Sequence, residues 1–119
     1  SGVKQIYANG YNFAALKVDG SVITWGRDLY KISDLAKLSI KSGVNKIFST
    51  DSAFAALKSD GSVVTWGDSE YGGDNSSVSS KLSEGVINIS TSGRAFAALK
   101  TDGSVVTWGG AYYGVIKQS

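Results

Sequence analysis

The chain contains no histidine and no cysteine. Without them neither a Ser-His-Asp nor a Cys-His nucleophile arrangement can be assembled, and His/Cys zinc sites are excluded. Absence of cysteine also rules out a disulfide framework and thiol chemistry. Methionine is missing too, even at position 1, which reads as a processed chain or a piece of a longer polypeptide. No run approaches the roughly 18 apolar residues of a membrane span, and none looks like a signal segment. The 12 basic and 10 acidic residues are spread evenly for a net charge of +2. The basic stripe expected of a nucleic-acid binder is therefore lacking. A cysteine-free chain rich in Gly, Ser, Thr and Asn suits a secreted or bacterial cell-surface protein.

What the chain does have is repetition. FAALKVDGSVITWG begins at Phe13, FAALKSDGSVVTWG at Phe54 and FAALKTDGSVVTWG at Phe96. The 119 residues read as a single repeat domain, 1–119, with units 1–41, 42–83 and 84–119. Each unit opens on Gly-Val-x-x-Ile (Gly2-Val3 to Ile6, Gly43-Val44 to Ile47, Gly85-Val86 to Ile89), read as a short strand. A polar turn, the FAALK strand and an Asp-Gly pair follow. Asp-Gly between two apolar runs signals a hairpin, here expected as a type I′ turn. The β-branched SVITW or SVVTW segment supplies a third strand. Neither FAALK nor SVVTW alternates cleanly, so both sheet faces are expected to be covered by neighbouring sheets. Asp34–Lys41 and Ser77–Ser83 could each form one or two helical turns, with Leu35 and Leu38, or Val78 and Leu82, facing inward.

Val-x-x-Ile, a polar turn, an aromatic and then Leu-x-x-Asp-Gly-x-Val-x-x-Trp-Gly resembles the regulator-of-chromosome-condensation repeat. Gly2–Gly26, Gly43–Gly67 and Gly85–Gly109 carry it. The resemblance implies an all-β fold of three propeller-blade-like antiparallel sheets with short helical connections. Similar arrays occur in large bacterial surface proteins of adhesin type. A β-trefoil is the alternative, because three units of about 40 residues also fit that closure. The resemblance implies a ring of about seven blades. Three blades would leave bare ends, so copies of the chain should associate, or the chain should be a fragment of a longer array.

Repeat architectures hold and present a surface rather than enclose a catalytic pocket. No enzyme activity, cofactor or metal is expected. Trp25, Trp66 and Trp108 read as core residues rather than a ligand-stacking set. Asp19, Asp60 and Asp102 read as turn residues, and Lys17, Lys58 and Lys100 as solvated strand ends. Asp68, Glu70 and Asp74 lack the spacing of a calcium loop. The loops that differ between units are the expected contact surface, since binding chemistry is commonly placed on loops of a rigid scaffold. Tyr and Arg are enriched at interface anchors, which nominates Tyr11, Arg27, Tyr30, Tyr71, Arg94, Tyr112 and Tyr113. The reading is a non-enzymatic module for protein–protein interaction or adhesion. An inhibitor or regulator of an enzyme or small GTPase, and a carbohydrate-binding trefoil, are the alternatives.

Overall fold

A computed structural model describes residues 2–10, 12–26 and 32–110. Nine strands form three separate antiparallel sheets: β1 (Val3–Asn9), β2 (Asn12–Lys17) and β3 (Val22–Gly26); β4 (Val44–Ser49), β5 (Ala53–Lys58) and β6 (Val63–Gly67); β7 (Val86–Thr91), β8 (Ala95–Lys100) and β9 (Val105–Gly109). Among the described residues every strand pairs with its neighbour in sequence within its sheet and none pairs across units. The architecture is three blade-like sheets joined by short helical segments. The trefoil alternative does not form, because its barrel would require strands from different units to hydrogen-bond. The first strands β1, β4 and β7 lie beside one another, one edge of each sheet facing a common side.

The Gly-Val-x-x-Ile spacing finds its reason in a bulge. Two residues three apart on a regular strand point to opposite faces. The register of each first strand shifts after its Val, between Val44 and Lys46 for example. The extra residue rephases the strand, and Val44 and Ile47 enter the same cluster, as do Val86 and Ile89. The FAALK strand then does alternate: in β5, Phe54 and Ala56 face the first cluster while Ala53, Ala55 and Leu57 face the second. The middle sheet is thus covered on both sides. Each Phe stacks on the Trp of its own sheet at 5.3, 5.5 and 5.4 Å between ring centroids. Burying one such ring contributes about 1.5–3 kcal/mol.

The hairpins differ from expectation. Among the described residues no non-glycine has positive φ, so the turns are not type I′; only Gly20, Gly61 and Gly103 do so there, at 85°, 85° and 87°. Gly20 N–H donates to the Lys17 carbonyl and Lys17 N–H to the Ser21 carbonyl. This is a type I turn closed by a left-handed glycine bulge. Asp19 Oδ1 accepts from Ser21 N–H at 2.9 Å and from Ser21 Oγ at 2.6 Å, and Asp60–Ser62 and Asp102–Ser104 repeat the pattern. These hydrogen bonds, side-chain first, hold all three carboxyls below the ordinary 3.8.

The connections pack between successive sheets. Helix α1 (Asp34–Ser39) starts at Ser33, whose Oγ accepts from Ala36 N–H. A 3-10 helix runs over Ser76–Leu82. Its Leu82 is buried and Val78 half-buried against the second cluster, as expected. In α1 the expectation fails: Leu35 and Leu38 are exposed, while Ile32, Ala36 and Ile40 are buried. Only Ala36 of these lies within the helix; Ile32 precedes its cap and Ile40 is the residue that ends it, so the connection is anchored on the first cluster at its middle and at both ends. Among the described residues, no helix is long and apolar enough to cross a membrane.

Candidate functional site

Of the residues nominated from sequence, Tyr11, Arg27, Tyr30, Tyr112 and Tyr113 lie outside the described residues. The other two, Tyr71 and Arg94, come together. Arg94 Cζ sits 4.9 Å from the centre of the Tyr71 ring, a cation–π contact between a loop after β6 and the turn leading into β8. The Tyr71 ring also rests on the second cluster.

The loop that carries Tyr71 is held rigidly. Asp68 caps a 3-10 turn, Ser69–Tyr71, by accepting from Glu70 N–H. The turn ends at Gly72, φ 102°. Trp108 Nε1–H donates to the Gly72 carbonyl at 3.0 Å, in a buried hydrogen bond. Thr50 Oγ donates to the Tyr71 carbonyl at 2.7 Å and Thr65 Oγ to the Gly73 carbonyl at 3.0 Å. Two strands, β6 and β9, and the turn after β4 therefore fix the backbone on which the Tyr71–Arg94 pair stands.

The remaining candidates have structural duties. Trp66 and Trp108 are core residues as expected, whereas Trp25 is exposed, because among the described residues no sheet covers its side of the first sheet. Lys58 Nζ donates to the Ser39 carbonyl and Lys100 Nζ to the Lys81 carbonyl, both at 2.6 Å. They are not simply solvated strand ends: they tie down the ends of the two helical connections, where carbonyls lack helical partners. Asp68 is engaged in its cap, and Asp74 accepts from Ser76 N–H. Among the described residues no three acidic, His or Cys groups gather to hold a metal.

Sequence reasoning passed over Asn9. Its buried amide Nδ2 donates to the carbonyls of Thr50 and Ala53, each at 2.9 Å, bridging the first sheet to the second. The turns Asn9-Gly10, Thr50-Asp51 and Ser92-Gly93 converge there around a polar cleft, linked in turn by Asp51 N–H donating to the Gly93 carbonyl. The signal was available as an Asn standing where the other units have Thr50 and Ser92.

No protein-family model matches the chain, and neither does any curated protein. Solved structures do. Yeast RCC1 (Prp20), solved bound to Kap60, shares 18% identity at TM-score 0.57, over 88% of this chain and 29% of that one. The CRINKLY WD40 ectodomain of the Arabidopsis thaliana receptor kinase ACR4 shares 16% at TM-score 0.61, over 98% of this chain and 40% of that one. Human WBSCR16 shares 23% at TM-score 0.53, over 90% of this chain and 34% of that one. The fold is thus that of RCC1-like and WD40 propeller blades. The chain spans between 29% and 40% of the length of these proteins.

Proposed function

We propose that the chain is a non-enzymatic repeat module that binds protein partners through its variable loops, as part of a bacterial surface or secreted protein. The observation that carries this reading is the Tyr71–Arg94 pair. Two side-chain types favoured at interface anchors are stacked on a loop pinned from both neighbouring sheets. A preordered anchor loses little freedom on binding. Lack of histidine and cysteine in the whole chain favours binding over catalysis. Ectodomains of plant receptor kinases carry the same fold outside the cell, which supports a surface setting. The module works within a larger assembly, made of further copies or further repeats.

The test is binding of labelled chain to intact cells and to purified cell-surface proteins, with Tyr71→Ala and Arg94→Ala alongside. The parent should bind in a saturable way, and both variants should lose at least about tenfold in affinity while keeping their folded circular dichroism. Equal binding by parent and variants refutes the loop assignment.

A further inference from the structure

The two ends of the described arc are not equivalent, and each has the shape of what the other lacks. At the first sheet, Val3, Ile6, Phe13 and Trp25 are exposed, with Phe13 at 37% and Trp25 at 39%. Their counterparts in the other sheets are buried, Phe54 at 2% and Trp66 at 5%. At the third sheet the opposite face is open: Leu99 is 41% and Val105 42% exposed, against 5% for Leu57 and 8% for Val63. Inside the chain these two faces meet twice. Leu16 and Val22 pack with Val44, Ile47 and Phe54 in the first cluster; Leu57 and Val63 pack with Val86, Ile89 and Phe96 in the second.

Backbone features continue the same series. Val44 N–H donates to the Gly20 carbonyl and Val86 N–H to the Gly61 carbonyl, each at 2.9 Å. The hairpin glycine of one sheet thus sits against the Gly-Val opening of the next. A Cβ on Gly61 would lie 2.7 Å from Gly85 N, and one on Gly20 would lie 3.1 Å from Gly43 N. The third hairpin has the same φ, yet among the described residues a Cβ on Gly103 would meet nothing within 4 Å. The turn is formed, with no described residue packed against it. Among the described residues no sheet follows Gly103 and none precedes Val3.

We infer that a second copy of this chain docks head to tail, its Val3–Ile6–Phe13–Trp25 face on the Leu99–Val105 face of the first, and its Val3 N–H on the Gly103 carbonyl. The contact extends the interface already made twice within the chain, so its complementarity is that of the internal pairs. It is heterologous, and such contacts close into rings or run on as filaments. The inference deepens the assembly part of the reading above and is independent of the Tyr71–Arg94 edge.

Analytical ultracentrifugation of the chain, with variants at each end, tests it. The parent should self-associate to a dimer or larger species as concentration rises. Ile6→Glu at one end and Leu99→Glu at the other should each weaken self-association by at least about tenfold. Mixing the two variants should restore a heterodimer, because one retains an intact third sheet and the other an intact first sheet. Tyr71→Ala and Arg94→Ala should associate like the parent, which separates this inference from the partner-binding surface. If either end variant does not fold by circular dichroism, Val3→Glu or Val105→Glu replaces it at the same end. A parent that stays monomeric at all concentrations overturns the inference. So does an end variant that still dimerises alone, which would mean that like ends meet.

Discussion

Gly72 is where the candidate site and the core constrain each other most tightly, and Gly72→Ala is the sharpest probe of both. Its φ is 102°, and a Cβ there would lie 2.5 Å from Phe96 Cδ2 and 2.6 Å from Cε2. Phe96 has little room to retreat: it is buried, and it stacks on Trp108, whose indole N–H holds the Gly72 carbonyl. Left-handed backbone costs an alanine about 1–2 kcal/mol, and forcing a methyl into a packed core adds about 1–3 kcal/mol. The expected loss is therefore about 2–5 kcal/mol. Gly43→Ala is the control: its φ is 75°, but the new methyl would meet Lys58 Cε at 3.4 Å, Ser59 Oγ at 3.9 Å and Lys58 Nζ at 4.0 Å, all ordinary van der Waals contacts. It should lose only the backbone share, about 1–2 kcal/mol. Urea unfolding followed by tryptophan fluorescence gives both values. Equal losses for the two variants would refute the claim that Phe96 and Trp108 clamp this loop. In that event the ordering of Tyr71 would need another cause.

Phe96→Ala should cost about 3–5 kcal/mol, whereas Phe13→Ala, at the open end, should cost under about 2 kcal/mol in urea titrations dilute enough to prevent self-association; equal costs would contradict the one-sided exposure of the first sheet. Lys58→Met should lose about 1.5–3 kcal/mol, the worth of a hydrogen bond from a charged ammonium to the Ser39 carbonyl, and unchanged stability would return Lys58 to the role of a solvated strand end. Asp19, Asp60 and Asp102 have folded pKa values below 3.8, so the unfolded chain takes up protons first. Their contribution is present above that pH and is lost as pH falls through the lowered folded values. Replacing all three with Asn should flatten the acid limb of a plot of unfolding free energy against pH, and limbs of equal slope would sink the assignment.

Much of the fold was legible because the repeated residues are those every sheet needs. The Phe–Trp stack and the Asp-Gly turn recur because each blade must be filled and closed in the same way. The misread parts share a cause: each depends on geometry that composition does not encode. Asp-Gly serves both a type I′ turn and a type I turn with a glycine bulge. Here the Asp–Ser hydrogen bond accompanies the second, and Ser21, Ser62 and Ser104 were in plain view beside it. In α1 the large residues Leu35 and Leu38 were the expected inward pair, yet the residues buried there are Ala36 within the helix and Ile32 and Ile40 on either side of it. The small Ala36 lets the helix approach, and Ser33 sets the helix start. For the candidate site, Tyr71 and Arg94 could be nominated separately from sequence. Their contact depends on a linker folding back over the next sheet, which no local pattern reveals.

Position in the stack, rather than sequence, separates the three units energetically. Phe13, Phe54 and Phe96 occupy equivalent places and stack on equivalent tryptophans, yet the first is exposed and the others are not. Leu16, Leu57 and Leu99 show the reverse order, with the last one open. A residue's contribution therefore depends on whether a neighbour is present on its side, as in any one-dimensional array whose stability is a sum of unit and nearest-neighbour terms. The middle sheet gains from two neighbours and each terminal sheet from one. The loops behave differently: Tyr71 and Arg94 belong to the junction between the second and third sheets, and their arrangement needs both to be in place. Recognition chemistry built at a junction is coupled to stacking, because whatever separates the two sheets also dismantles the anchor.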